Sequence, residues 1–213
     1  MKLVHAAYEP AGADSRPALL ALHGWGANAL DLLGLAPYLP GLMMVCPQGP
    51  IDVPDAPANA HGWYPRNPGT PPADAAIDAG VSAVAQFIDE AAPRYGLGER
   101  KIALLGFSQG GVIAYGLALR HPERFAALIA ISTWLPDSIA DSITVTPALA
   151  RLPILIQHGR SDDLIEIGRA RAAAERLRAL NLNPVFRDYD CAHQITAEGL
   201  RDIGRFISEH TGA

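Results

Sequence analysis

The chain has 213 residues, 49% hydrophobic and 18% charged, which is enough apolar surface to close a layered core and too much for a disordered chain. Its formal net charge of -5, with no cluster of Lys or Arg, argues against nucleic acid as a partner, because phosphate contacts need clustered cations. No apolar stretch approaches the ~20 residues needed to cross a bilayer, since Arg, Asp or Glu punctuate each long run.

Taken in order, the chain opens Met1-Lys2-Leu3-Val4-His5-Ala6-Ala7-Tyr8-Glu9, where His5 and Glu9 interrupt the apolar run before it could act as a secretion signal; a soluble cytoplasmic protein is expected. Short apolar and β-branched runs then alternate with longer helical patterns. They predict strands over 3–8, 18–23, 42–46, 101–106, 126–131, 154–157 and 185–189, and helices over 73–94, 110–120, 166–180 and 197–209. The helix over 110–120 stops where Pro122 forbids its continuation. Such alternation implies an α/β fold, with a mostly parallel central sheet covered by helices on both faces. No internal repeat or linker interrupts it, so one domain over 1–213 is expected. Cys46 and Cys191 fall in or just after predicted strands and read as two reduced, buried thiols rather than a disulfide.

One stretch breaks the rhythm. Residues 47–73 hold eight of the 18 prolines together with Gly49, Gly62, Gly69 and the pair Trp63-Tyr64. An irregular loop of that length is usually functional or disordered, and proline stiffens a loop that must hold a shape. It is predicted to form one wall of a cleft, with a surface loop whose Trp63 covers core as the alternative.

Between the strand over 101–106 and the helix over 110–120 stands Gly106-Phe107-Ser108-Gln109-Gly110, a G-x-S-x-G motif in the strand-turn-helix setting that gives it meaning. A serine on so sharp a turn is held in a strained backbone, and glycine two positions before and after removes side chains that would strike the neighbouring strand and helix. The helix N-terminus then directs partial positive charge at the reacting oxygen. Ser108 is the candidate nucleophile.

A serine hydroxyl needs a general base and a third group to orient that base, and on such an elbow they follow in the order acid, then histidine. His121, His158, His193 and His210 follow Ser108. His121 lies at a helix end, His158 directly precedes the loop with the acid, and His210 lies at a tail expected to be disordered. His193 remains, on a short loop after the last strand, at the carboxyl edge of the sheet where ligands bind in open α/β folds. The loop after the strand over 154–157 supplies Asp162 and Asp163, and spacing does not choose between them. For the oxyanion formed during attack, the backbone N–H of Gln109 is one candidate donor. The glycine-rich Leu22-His23-Gly24-Trp25-Gly26 offers the N–H of Trp25 as the second.

With these residues in place, the chain resembles the phospholipase/carboxylesterase group of α/β-hydrolases, which includes the acyl-protein thioesterases. The likeness is carried by Leu22-His23-Gly24-Trp25-Gly26, by Gly106-Phe107-Ser108-Gln109-Gly110-Gly111, by Ser132-Thr133-Trp134-Leu135-Pro136, by His158-Gly159-Arg160-Ser161-Asp162 and by Tyr189-Asp190-Cys191-Ala192-His193. The resemblance implies an α/β-hydrolase fold and assigns the triad acid to Asp162. The chain departs from the family's pattern at Ala192, at Ile165-Glu166 and at Pro65, positions around the cleft rather than in the chemistry.

The expected activity is hydrolysis of short-chain to medium-chain carboxylic esters or thioesters through an acyl-enzyme on Ser108, with no metal and no cofactor. Residues 47–73 and 133–147 are too short to build a large cap domain, and Trp63, Tyr64, Trp134 and Leu135 are the candidate substrate-binding residues. A catalytically silent binding scaffold and an acyltransferase using the same triad are the alternatives. A small ester or thioester is the expected partner, and a homodimer stays open.

Overall fold

The computed structural model describes residues 1–12, 16–53, 56, 59–67, 69–98 and 101–212. Of the proline-rich stretch, Pro54, Asp55, Pro57, Ala58 and Pro68 lie outside the described residues.

The apolar runs become strands because only burial on both faces removes every one of their side chains from water. The strands are β1 (His5–Tyr8), β2 (Ala18–Leu22), β3 (Met43–Pro47), β6 (Ile102–Phe107), β7 (Ala127–Ile131), β8 (Ile154–Gly159) and β9 (Val185–Tyr189), with β4 (Ile51–Asp52) and β5 (His61–Gly62) forming a small separate pair. The main sheet has seven strands in the order β1-β3-β2-β6-β7-β8-β9. All its pairings are parallel except that of β1 with β3. At the far edge β9 alternates between exposed and partly buried residues, and its Asp188 pairs with Arg160 at 2.9 Å and Arg171 at 3.3 Å. Charges of this kind discourage another strand from adding there.

Side chains alternate across each strand, so one sheet feeds two cores. Leu20, Leu104, Leu128 and Ile156 pack with α2 (Asp74–Tyr95), α3 (Gln109–Arg120) and α6 (Ile167–Ala179). Leu19, Leu105, Ile129 and Leu155 face the other way, against α1 (Ala29–Leu33) and α7 (Ala197–Thr211). In α3 every residue from Gln109 to Leu119 is buried, which fixes the helix beneath the sheet centre. The side chain of Thr196 caps α7, which continues through His210, so the expectation of a disordered C-terminal tail is corrected. An amphipathic stripe of Leu200, Ile203, Phe206 and Ile207 docks it.

Only short elements interrupt this frame on the ligand side. Between β7 and β8 lie α4 (Asp137–Asp141) and α5 (Pro147–Ala150), and no large cap domain is inserted. The 47–73 stretch is not wholly irregular as expected, because β4 and β5 pair within it. Cys46 and Cys191 are free and buried.

Candidate active site

Ser108 stands between β6 and α3 with φ 54° and ψ -118°, a conformation that costs a non-glycine residue on the order of 1–3 kcal/mol. Its neighbours hold it there. The Ser108 N–H donates to the Ile131 carbonyl at 2.9 Å, while the Ser108 carbonyl accepts from the Thr133 hydroxyl at 2.7 Å and the Gly111 N–H at 2.9 Å. The flanking glycines follow from sterics: a Cβ on Gly106 would lie 2.3 Å from the Gly110 carbonyl oxygen, and one on Gly110 would lie 2.2 Å from that of Leu22.

His193 is held by backbone bonds between two loops, from the Arg160 N–H to the Tyr189 carbonyl at 2.8 Å and from the Ser161 N–H to the Cys191 carbonyl at 3.0 Å. Its Nδ1 lies 2.8 Å from Asp162 Oδ2, and its ring packs 4.8 Å from that of Phe107, beside the serine. Asp162 is fully buried at its side chain, and its other oxygen accepts the N–H groups of Leu164 at 3.0 Å and Ile165 at 2.9 Å. Asp163, the neighbour that spacing left as an alternative, is exposed. Among the described residues no hydrogen bond joins the Ser108 hydroxyl to His193, although both line one cleft. Catalytic hydrogen bonds are often long before substrate binds.

A second imidazole, passed over in the sequence, backs this arrangement. His158 Nε2 donates to the Ile165 carbonyl at 2.7 Å and stands 3.3 Å from Asp162 Oδ2, with its Nδ1 buried and unpartnered. Burial lowers its pKa, so it remains a neutral donor behind the carboxylate. The i,i+4 spacing in His158-Gly159-Arg160-Ser161-Asp162 was the available signal.

On the opposite side, residues 23–27 and 61–64 are tied together. Gly26 N–H donates to the His61 carbonyl at 2.9 Å and His61 N–H to the Ala27 carbonyl at 2.8 Å. His23 Nδ1 donates to the Gly24 carbonyl at 2.7 Å, its Nε2 accepts the Gly49 N–H at 2.9 Å, and burial pushes its pKa down to about 4. Trp63 is 1% exposed and sends its indole N–H to the His23 carbonyl at 2.8 Å, away from the cleft wall. The Gln109 side chain accepts the Trp63 N–H and donates to the Tyr64 carbonyl, both at 2.7 Å. The Trp25 ring covers Gly62, where a Cβ would come within 2.3 Å of it. The candidate donor residues Trp25 and Gln109 are therefore braced by the same short segment.

The cleft has a volume of about 390 Å³. Trp25, Ser108, Gln109 and His193 line it together with Tyr64, Trp134 and residues 65–67 and 69–72 of the proline-rich stretch. Leu135 opens instead onto a neighbouring depression. The structure thus brings Tyr64 and Trp134 to Ser108 but not Trp63 or Leu135. Among the lining residues that the sequence did not single out, two are cations, Arg66 and Arg169.

A mostly parallel sheet with a serine on the strand-to-helix elbow defines an α/β-hydrolase. The chain belongs to the Phospholipase/Carboxylesterase family, whose model matches residues 4–211. It is accordingly a carboxylesterase-like or thioesterase-like hydrolase. A probable carboxylesterase of Oryza sativa subsp. japonica is 26% identical, covering 100% of this chain and 84% of the relative. Among solved structures, esterase PE8 is 24% identical with a TM-score of 0.86 over 99% of this chain and 100% of that one. Zea mays acyl-protein thioesterase 2 is 20% identical with a TM-score of 0.77 over 97% and 98%. At those identities the two structures share the fold with this chain. Among the described residues no helix is long and apolar enough to cross a membrane.

Proposed function

We propose that the chain hydrolyses carboxylic esters or thioesters of short to medium acyl length, with Ser108 as nucleophile, His193 as general base and Asp162 as its orienting acid. The observation that carries this reading is the elbow: Ser108 is held at positive φ in a cleft that it shares with His193, whose Nδ1 is hydrogen-bonded to Asp162 at 2.8 Å.

Ser108 Oγ attacks the acyl carbon as its proton passes to His193 Nε2. The carbonyl π pair moves onto oxygen, where the N–H groups of Trp25 and Gln109 stabilise it. Asp162 keeps the proton on Nδ1 and steadies the imidazolium. Collapse re-forms the carbonyl and breaks the bond to the alcohol or thiol, which leaves with the proton from Nε2. Water then repeats the sequence on the acyl-enzyme, releasing the acid and the free serine. These groups carry every proton and electron pair, so the reading requires no metal or cofactor. Tyr64 and Trp134 would contact the substrate. The reading treats the chain as one domain acting in the cytoplasm on a small-molecule substrate, in keeping with its two free, buried thiols.

The test is Ser108→Ala. Ester turnover and labelling by a fluorophosphonate should both vanish while the circular dichroism spectrum and Tm stay near wild type. A folded Ser108→Ala protein that kept near-native turnover would overturn the mechanism.

A further inference from the structure

The cleft is charged in a way that the proposed chemistry does not require. Arg66 and Arg169 line it beside Ser108 and His193, and no Asp or Glu is among its described lining residues, although the chain as a whole carries a net charge of -5. Neither arginine is ion-paired among the described residues. Asp137, one of the two carboxylates whose field reaches Arg169, stands outside the cleft and lies 3.6 Å from Arg176. Glu166, the other, is exposed and also outside the cleft lining.

Arg169, in the first turn of α6, is carried 4.4 Å over the Trp134 ring. Stacking on an aromatic face positions a guanidinium without neutralising it, and leaves its in-plane N–H groups available to grip a carboxylate. Tyr64 lines the cleft with both cations. Burial raises the pKa of its phenol, while Arg169 and Arg66 both act on the same hydroxyl in the opposite direction, and that hydroxyl has no partner. Two cations along a partly apolar wall focus a positive potential, which concentrates anionic substrates.

Resting on the esterase reading above, we propose that Arg169 and Arg66 form a subsite for an anion, so that the preferred substrates are esters or thioesters carrying a carboxylate in the acyl or the alcohol half. The subsite holds the carboxylate while Ser108 attacks the ester carbon. Neutral esters of the same shape lose that contact.

Two matched pairs of substrate test this. A 4-nitrophenyl hydrogen adipate and the corresponding adipamate place the charge, or its neutral amide counterpart, in the acyl half; 3-carboxyphenyl and 3-carbamoylphenyl butyrate place it in the alcohol half. In one pair the wild-type kcat/KM should favour the anion about tenfold, the scale of a charge-assisted hydrogen bond at a partly solvated site. That ratio should shrink with added salt. It should collapse toward one in Arg169→Gln, fall in Arg66→Gln and survive in part in Arg169→Lys. A purely structural role for Arg169 over Trp134 would slow both members of a pair alike and leave the ratio unchanged. Ratios at or below one in both pairs, or a ratio indifferent to both Gln variants, would overturn the subsite. Ser108→Ala titrated with the intact esters, followed by tryptophan fluorescence, reads the subsite without turnover. Tighter binding of the anion supports it even if the triad reading fails, and equal binding overturns it even if the triad reading holds.

Discussion

Replacing Asp162 with Asn exchanges one acceptor oxygen for an NH₂ in a fully buried position, and the surrounding hydrogen bonds determine which oxygen is lost. If the amide turned its NH₂ toward Leu164 and Ile165, it would face two backbone N–H groups that the carboxylate now accepts at 3.0 Å and 2.9 Å. Leaving those two donors unpaired would cost about 1–3 kcal/mol each. The amide oxygen should therefore stay with the backbone, and the NH₂ should face His193 Nδ1 in place of the oxygen now 2.8 Å away. Facing a donor, Nδ1 must become the acceptor. The ring proton moves to Nε2, where it blocks transfer from Ser108. The expected loss in kcat is about 10⁴-fold, as for the equivalent change in other triads. That corresponds to roughly 5 kcal/mol of transition-state stabilisation. Both backbone bonds survive, so Tm should change far less than activity. Asp163→Asn, at an exposed position, should stay within about twofold of wild type. The assay is steady-state turnover of 4-nitrophenyl butyrate beside thermal unfolding. Full activity in Asp162→Asn, or a large loss in Asp163→Asn, would refute the reasoning about the acid.

Three further outcomes follow from the structure. A Cβ on Gly62 would stand 2.3 Å from Trp25 Cε3 and 3.0 Å from Gln109 Oε1, so Gly62→Ala should displace the candidate oxyanion donors. Loss of one donor would lower kcat by about 10²-fold or more, and unchanged kcat in a folded variant would count against that hole. His23 is pushed by burial from 6.5 to about 4, so from pH 6.5 down to about 4 the unfolded chain binds a proton that the folded one refuses. Its stabilising contribution is complete above pH 6.5 and declines as pH falls through that window, by about 2 kcal/mol between pH 7 and pH 5. Urea unfolding of wild type and His23→Gln at both pH values checks this, and parallel losses in the two proteins would contradict it. With a cleft of about 390 Å³ and no large cap, each added CH₂ should contribute its ~0.8 kcal/mol only while the wall continues. Aryl butyrate and octanoate should be turned over well, without a rise in rate at the solubility limit; a strong preference for palmitate would point to a longer tunnel.

The seven strands of the main sheet, the four long helices and the elbow were legible in the sequence because each rests on short-range physics, whereas α1, α4, α5 and the β4–β5 pair are too short to show a period. Buried parallel strands read as continuous apolar runs such as Ala18–Leu22 and Ala127–Ile131, and the elbow needs glycine two positions either side of Ser108 to avoid backbone collisions. Resemblance, not spacing, selected Asp162 over Asp163, and the loop fold now sets Asp162 against His193 and His158 while Asp163 faces solvent. Adjacent residues of like chemistry differ there only through backbone bonds to Leu164 and Ile165, which no periodicity encodes. The same holds for the aromatic pair. Trp63 turns inward because its indole N–H finds the His23 carbonyl, 40 residues earlier, while Tyr64 lines the cleft. Nor could the sequence bring Arg66 to Arg169. One lies in the proline-rich loop that follows β3 and the other on α6 after β8. The sheet order sets those strands on opposite sides of β6, and the two arginines line one cleft only because both segments leave the carboxyl ends of strands parallel to β6, beside Ser108.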